Sequence, residues 1–265
     1  MAGLPRSGNT LLSTLLNQNP EIKVSANSFL CEHLYQTAMF FHSEKYKNFP
    51  DKKSLDNLLS CTFDSYYKDW NSNYVIDRGP WGTPVNLYIL KEYFNCEIKI
   101  IVPVRNIVDI IASFIRVNPQ KLKSEIQNEI NSGLRFNNGY KSEVELMCEI
   151  VTRSNGQLEQ QLFSLHNLLK PENKKYLEIV EYNDLISSPE KVINSIYDFL
   201  GIPKFKHDFN KIEQFNANGV MYDDTIFGGK LHKLNETVKK PDYKIEDILP
   251  KFLIDRYSNM EFWRN

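Results

Sequence analysis

Apolar positions along the chain follow two spacings, and together they predict an α/β protein. Short runs rich in Val and Ile predict strands, whereas apolar residues that recur every three or four positions predict helices. The predicted strands cover residues 22–24, 74–77, 98–104 and 176–180. The predicted helices cover residues 9–17, 28–42, 54–69, 84–94, 107–117, 190–200 and 245–257, with a longer one from Lys141 to Leu169 that bends near Ser154.

The order of these elements limits the fold. Because strands and helices alternate, we expect a mostly parallel central sheet with helices on both faces, a three-layer α/β/α arrangement. Residues 98–104 are apolar nearly throughout, which is typical of a strand buried on both faces. Residues 118–139 are polar and rich in Asn, and they predict a loop or a short helix. No linker or repeat divides the chain, so we expect residues 1–265 to form one domain.

The stretch GLPRSGNTLL, which starts at Gly3, has the pattern of a loop that binds phosphate. Two glycines precede an apolar helix, so backbone N–H groups and the helix N-terminus can face one anion. The pattern departs from the nucleotide-binding P-loop G-x-x-x-x-G-K-[ST], because Asn9 stands where the lysine is expected. The positive charge is on Arg6 instead, and Ser7 and Thr10 add hydroxyl donors. A plain glycine-rich turn is the alternative interpretation.

A P-loop normally follows a buried strand, but only Met1 and Ala2 precede Gly3. We therefore expect either a very short strand or further residues before Met1, and the sequence does not decide between them.

Composition narrows the classes of partner. A net charge of −1 and a pI near 6.5 argue against a surface that coats nucleic acid. The 4 cysteines are scattered and form no C-x-x-C pair, so we expect reduced thiols and no metal site. No apolar run reaches the roughly 18 residues of a membrane span, and no secretory signal precedes the loop. These features predict a cytoplasmic protein.

Charged side chains follow two of the predicted strands. Arg105 comes directly after residues 98–104, and Ser113 lies about two turns into the next helix. Arg78 ends the strand at 74–77. The carboxyl ends of parallel strands are where α/β folds bind ligands, so these residues are candidates for a site. The alternative is that each arginine only forms an ion pair, Arg105 with Asp109 and Arg78 with its neighbour in sequence.

Three segments together resemble the sulfotransferases that use 3′-phosphoadenosine 5′-phosphosulfate (PAPS). They are GLPRSGNTLL, IIVPVRNIVDIIASFIR and EYNDLISSPEKVINSIYDFLGIP. The segment GGKLHKLNETV and the closing MEFW also look like a bacterial branch, so the resemblance runs from Gly3 to about Trp263. It implies transfer of a sulfuryl group from PAPS to a hydroxyl or amine of a small-molecule or peptide acceptor, with adenosine 3′,5′-bisphosphate (PAP, or 3′,5′-ADP) as product and no metal.

The resemblance also implies roles for individual residues. The first segment binds the 5′-phosphosulfate, and Arg105 and Ser113 have the family's spacing for binding the 3′-phosphate. Arg6 then stabilises the leaving phosphate, and Arg78 contacts the transferred sulfuryl group. The implied nucleotide-binding residues are Pro5, Arg6, Ser7, Gly8, Asn9, Thr10, Leu11, Arg105, Ser113, Arg116, Tyr182, Lys230 and Lys233. For the two lysines, a solvated run of charges is the alternative.

The general base stays open. Protein-tyrosine sulfotransferases, whose motifs are similar, carry an acidic base after the first helix, but residues 24–28 contain no carboxylate. Cytosolic sulfotransferases use a histidine, which leaves His33 and His232 as candidates. For His33, a position on the helix surface or in the core is the alternative.

The acceptor is also unassigned. Aromatic side chains of residues 28–70 and 118–140 are candidates for an apolar acceptor wall, although aromatics at helical spacing more often belong to the core. They are Phe29, Tyr35, Phe40, Phe41, Tyr66, Tyr67 and Phe136.

Two other functions compete with sulfuryl transfer. A P-loop kinase or NTPase needs a lysine after Gly8 and an acidic metal ligand at a strand end, where this chain has Asn9 and Arg105. A regulatory protein that binds PAP without turnover is compatible with the missing base. The oligomeric state does not follow from the sequence.

Overall fold

A computed structural model of the protein describes residues 1–94, 96–131, 142–227 and 231–264. The predicted alternation of helices and strands is confirmed over this part of the chain. The strands are β1 (Ile22–Asn27), β2 (Tyr74–Arg78), β3 (Ile100–Val104), β4 (Leu177–Glu181), β5 (Asn216–Ala217) and β6 (Val220–Met221). The helices are α1 (Asn9–Leu16), α2 (Leu30–Phe40), α3 (Glu44–Asn48), α4 (Lys52–Ser60), α5 (Thr62–Tyr66), α6 (Pro84–Tyr93), α7 (Ile107–Val117), α8 (Pro119–Asn131), α9 (Glu143–Thr152), α10 (Glu159–Leu168), α11 (Tyr182–Ser187), α12 (Pro189–Leu200) and α13 (Lys251–Tyr257).

Two parallel strand pairs lie on either side of the N-terminal segment, residues 1–4. Strand β1 pairs with β2, and β3 pairs with β4. The N–H of Ala2 donates to Ile101 O at 2.9 Å, and the N–H of Leu4 donates to Pro103 O at 2.8 Å. On the other side, the N–H of Gly79 donates to Met1 O at 3.1 Å. The N-terminal segment therefore lies between the pairs, in the order β1, β2, residues 1–4, β3, β4, and it leads directly into the glycine-rich loop GLPRSGNT, which is called the P-loop below after its sequence pattern.

Strand β3 sends side chains into two hydrophobic clusters. Val102 packs in the cluster that contains Leu30, whereas Ile101 packs in the cluster that contains Leu12 and Ile196. Because successive strand residues point to opposite faces, helices cover both faces of β3. The predicted α/β class with parallel strands is confirmed, and the three-layer arrangement is our interpretation of this two-sided packing. Across the described chain, no helix combines the length and apolar character needed to cross a membrane.

Between β3 and β4, the structure decides one prediction that was left open and corrects another. Of residues 118–139, the described part forms helix α8, because Pro119 opens it and its buried residues Leu122 and Ile126 pack against the core. Residues 132–139 lie outside the described chain. The predicted long helix is two helices, α9 and α10, since the backbone at Arg153 is extended and Asn155 has a φ of 62°.

Three smaller boundaries also differ from the prediction. The helix predicted at 54–69 is divided at Cys61 into α4 and α5. Helix α11, which begins at Tyr182 directly after β4, is absent from the predicted helices. In the tail, α13 begins only at Lys251, because Pro250 precedes it and lacks the N–H that would continue a helix from residue 245.

Candidate active site

A cavity of about 730 Å³ opens at the carboxyl ends of the parallel strands. The P-loop lines one side of it, α7 and α11 contribute residues near the ends of β3 and β4, and the C-terminal segment 231–243 lines another side. The predicted residues that line it are Pro5, Arg6, Gly8, Asn9, Thr10, Leu11, Arg78, Arg105, Ser113, Arg116, Tyr182, His232 and Lys233. The fold therefore brings most of the predicted site together.

The P-loop has the backbone of an anion-binding turn. Gly8 has a φ of 82°, a left-handed conformation that favours glycine, and a Cβ there would lie 2.9 Å from the Tyr182 ring. Helix α1 follows without a side-chain cap and without an acidic residue in its first turn. Asn9 does not replace the missing lysine, because its Nδ2 donates to Leu4 O at 2.6 Å and so braces the loop.

Ser7 lies apart from the rest of the predicted P-loop set. Its side chain is fully buried, it does not line the cavity, and its Oγ has no hydrogen-bond partner among the described residues.

Arg6 connects the P-loop to two distant parts of the chain. Its Nε donates to Ser113 Oγ at 3.1 Å, and one terminal nitrogen donates to Leu231 O at 2.9 Å. Burial and the nearby charge of Arg105 lower the pKa of Arg6. Arginine remains protonated under such shifts, so the loop carries a fixed positive charge.

Arg105 is held on several sides. One terminal nitrogen donates to Arg6 O at 3.1 Å, and the other donates to Asp109 Oδ1 at 3.1 Å and to Tyr243 OH at 3.3 Å. The Tyr182 ring lies 4.2 Å from its Cζ. The ion pair with Asp109 is therefore present together with contacts that orient the guanidinium at the cavity.

The Tyr243 ring also lies against a second arginine. The Cζ of Arg116 is 4.7 Å from its centroid, so one tyrosine contacts both Arg105 and Arg116.

Arg78 does not pair with Asp77. The Asp77 carboxylate accepts hydrogen bonds from Tyr67 OH and, at 2.7 Å, from Trp81 Nε1, and burial raises its pKa. Arg78 instead donates to Tyr222 OH at 3.0 Å. Its side chain is almost fully buried, and desolvation lowers its pKa. Asp77 thus holds the end of β2 in place. The charge of Arg78 is not neutralised by Asp77, and Arg78 lines the cavity.

His232 belongs to a group of three side chains. Its Nδ1 lies 2.6 Å from Asp224 Oδ1, and its backbone N–H donates to Asp224 Oδ2 at 2.8 Å. The Tyr222 ring stacks on the imidazole at 3.6 Å. Burial lowers the pKa of His232, and Asp224 opposes that shift. Since the carboxylate accepts the Nδ1 proton, Nε2 is available to accept another proton.

Some predicted residues lie elsewhere. His33 is exposed on α2 and does not line the cavity. Lys230 lies outside the described chain, as does Phe136. None of the other proposed acceptor-wall aromatics lines the cavity: Phe29 is 82% exposed, and Tyr67 is bonded to Asp77 in the core.

Sequence reasoning missed Tyr222, Asp224 and Tyr243. Each of them contacts an arginine or a histidine of the site. They lie in the irregular C-terminal part of the chain, where no sequence motif marks them. Among the described residues, no three His, Cys, Asp or Glu side chains come together as metal ligands.

The sulfotransferase domain from the curacin biosynthetic pathway is similar to this protein, with a TM-score of 0.48, 18% identity, and coverage of 77% of this chain and 73% of that one. The sulfotransferase domain from the Synechococcus PCC 7002 olefin synthase is also similar, with a TM-score of 0.47 and 18% identity. The match covers 86% of this chain and 82% of that one. No curated protein matches. The sulfotransferase domain family matches residues 1–218, which is most of the chain, and the protein therefore belongs to that family.

Proposed function

We propose that the protein transfers a sulfuryl group from PAPS to the hydroxyl of an acceptor. The observation that carries this proposal is the convergence of Arg6, Arg78, Arg105 and Arg116 on one cavity beside the P-loop. Four guanidinium groups around a loop of backbone N–H groups suit a ligand with several anionic groups.

The residues present fit a nucleotide that carries phosphate at two positions. The P-loop amides and Arg6 suit the 5′-phosphosulfate, whereas Arg105, Ser113 and Arg116 suit a 3′-phosphate. A nucleotide with phosphate only at the 5′ position would leave Arg105, Ser113 and Arg116 without an anionic partner. By the family resemblance, Tyr182 contacts the adenine and Lys233 a phosphate.

The chain's own residues perform the chemistry by position and charge. In the transfer, the acceptor oxygen bonds to sulfur, the sulfur–oxygen bond to the 5′-phosphate breaks with its electron pair on the phosphate, and the acceptor's proton passes to Nε2 of His232. Arg6 and Arg78 hold positive charge where negative charge grows. Because their hydrogen bonds to Ser113, Leu231 and Tyr222 fix them beforehand, little reorganisation is needed.

The kinase alternative has less support. Asn9 is bonded to Leu4 O, and the residue after β3 is Arg105 in place of an acidic metal ligand. Magnesium-dependent transfer needs such a ligand.

Nucleotide binding tests the proposal directly. In isothermal titration calorimetry, we expect 3′,5′-ADP to bind at least tenfold more tightly than 5′-AMP, because only the former engages both phosphate groups of donors. Tighter binding of ATP with magnesium would favour the kinase. Binding of 3′,5′-ADP without turnover of labelled PAPS would favour a regulatory protein.

His232 gives a prediction on pH dependence. Burial lowers the pKa of His232 from its usual value of 6.5 and Asp224 raises it, so kcat should rise with pH through an inflection below 6.5. Asp224→Asn should move that inflection to lower pH, since the group that favours the charged imidazole is gone, and should also reduce the plateau. His232→Gln should remove the inflection. An unchanged profile in both variants would exclude His232 as the base.

A further inference from the structure

We propose that the acceptor is a neutral, polyhydroxylated molecule of the sugar or cyclitol class, recognised by Gln157, Gln160 and Gln161. This inference rests on the proposed function, because it names the acceptor of the same site. It depends on where these three amides lie, on their lack of partners, and on what the neighbouring wall lacks.

The three glutamines line the same cavity as Arg78. Asn167 of α10 donates from Nδ2 to Gly82 O at 2.9 Å, and Asn86 donates to Pro80 O at 3.0 Å. These bonds fix the loop that follows Arg78 against α10. Gln161 lies six residues before Asn167 on the same helix, about 9 Å along its axis.

Close packing at Gly82 keeps α10 in this place. A Cβ on Gly82 would lie 2.5 Å from Ser164 Oγ and would also collide with Leu168. Ser164 follows Gln161 by three residues and Gln160 by four, so Ser164, Gln160 and Gln161 share one face of α10. Gln160 and Gln161 thus lie on the helix that packs on the loop after Arg78, and both line the cavity together with Pro80.

These amides are unpartnered in the part of the chain that the structure describes. None of the three has a hydrogen-bond partner among those residues, although each lines the cavity. Asn27, the last residue of β1, also lines the cavity and also lacks a side-chain partner among the described residues. A carboxamide offers both a donor and an acceptor, which is the combination that each hydroxyl of a polyol requires.

Charge and aromatic surface in the cavity favour a neutral polyol over two other acceptor classes. Among the described lining residues, the one acidic side chain is Asp242, which neighbours Tyr243, so a cationic amine finds little counter-charge. Phe114 is the one phenylalanine among these residues and no tryptophan is present, so little aromatic surface is left to enclose a phenol or a steroid.

The test uses the full-length chain with labelled PAPS and a panel of acceptors. Maltose, lactose, methyl β-glucoside and myo-inositol represent the proposed class, whereas 2-naphthol, tyramine and methyl glucuronide represent phenols, amines and anions. We expect transfer chiefly to one or more neutral polyols. Preferential transfer to 2-naphthol, tyramine or methyl glucuronide, or transfer to none of the seven, would overturn the proposal.

Variants test the glutamines themselves. Gln157→Leu combined with Gln161→Leu should raise KM for the best polyol about tenfold or more and leave the Kd for 3′,5′-ADP within about twofold, since each loses a hydrogen-bonding group of the acceptor wall. Gln36→Leu is the control, because Gln36 is exposed on α2 and bonded to Glu32. An unchanged KM in the double variant would overturn the proposal. Loss of 3′,5′-ADP binding by the wild-type protein would instead contradict the proposed function.

Discussion

Arg105→Ala is expected to abolish most of the preference for 3′,5′-ADP over 5′-AMP. The hydrogen bonds to Arg6 O, Asp109 and Tyr243 use three of the five guanidinium N–H groups, so two remain for a phosphate. Removing one partner of a buried, hydrogen-bonded charge pair costs about 2–5 kcal/mol, which is roughly 30-fold or more in Kd. Calorimetry with the two nucleotides measures the loss, and 5′-AMP should be affected far less.

Arg153→Ala is the matched control. Arg153 ends α9 on the surface and pairs with Glu129, outside the cavity, so its removal should leave both affinities unchanged. Because Arg105 also contacts Arg6 O, a general collapse of the P-loop would weaken 5′-AMP equally, and the ratio of the two affinities would then survive. A surviving ratio would contradict the assignment of Arg105 to the 3′-phosphate.

The parts of the site that could be predicted lie within short segments of sequence. The P-loop was predicted from its glycines and the apolar helix after them, and Arg105 and Ser113 were predicted from the end of β3 and the helix that follows it. That helix was predicted with its observed bounds, because Asn106 caps it through bonds to Val108 and Asp109 and its apolar face is strong. Local chemistry and periodicity are sufficient for such elements.

The rest depends on contacts between distant residues. Arg78 reaches Tyr222 across 144 positions, and Arg105 reaches Tyr243 across 138. Neither tyrosine has a spacing or a motif that marks it in the sequence. The sequence left open whether a very short strand precedes the P-loop, because four residues are too few to show a period and the place of residues 1–4 depends on hydrogen bonds to Asp77, Gly79 and β3.

The C-terminal segment completes the cationic cavity from outside the P-loop core. Leu231 O accepts from Arg6, His232 faces the cavity beside Tyr222, and Tyr243 contacts Arg105. The donors on β2, β3 and the P-loop are therefore oriented by groups near the chain's end. This explains why the orienting tyrosines were found only in the structure and why the sequence alone left both His33 and His232 as candidates for the base.

Arg78→Ala is expected to lower kcat by about 10²–10³-fold with little change in the Kd for 3′,5′-ADP. The guanidinium lies at the end of β2 beside His232 and Tyr222, where the transferred group would carry charge, and removal of one preorganised donor commonly has this effect. Because 3′,5′-ADP lacks the sulfuryl group, it should not detect the change. Single-turnover kinetics with labelled PAPS and calorimetry give the two numbers.

Tyr222→Phe separates the charge of Arg78 from its positioning. The phenylalanine ring can still stack on His232 and Phe215, while the hydrogen bond at 3.0 Å from Arg78 is lost. We expect kcat to fall by about tenfold and by less than in Arg78→Ala, because the charge of Arg78 remains while a hydrogen bond to a charged group contributes about 1.5–3 kcal/mol. A loss as large as that of Arg78→Ala would mean that the hydroxyl itself acts on the substrate. If Arg78→Ala weakens 3′,5′-ADP as strongly as it lowers kcat, Arg78 belongs to the nucleotide site, and the sulfuryl group must be held by Arg6.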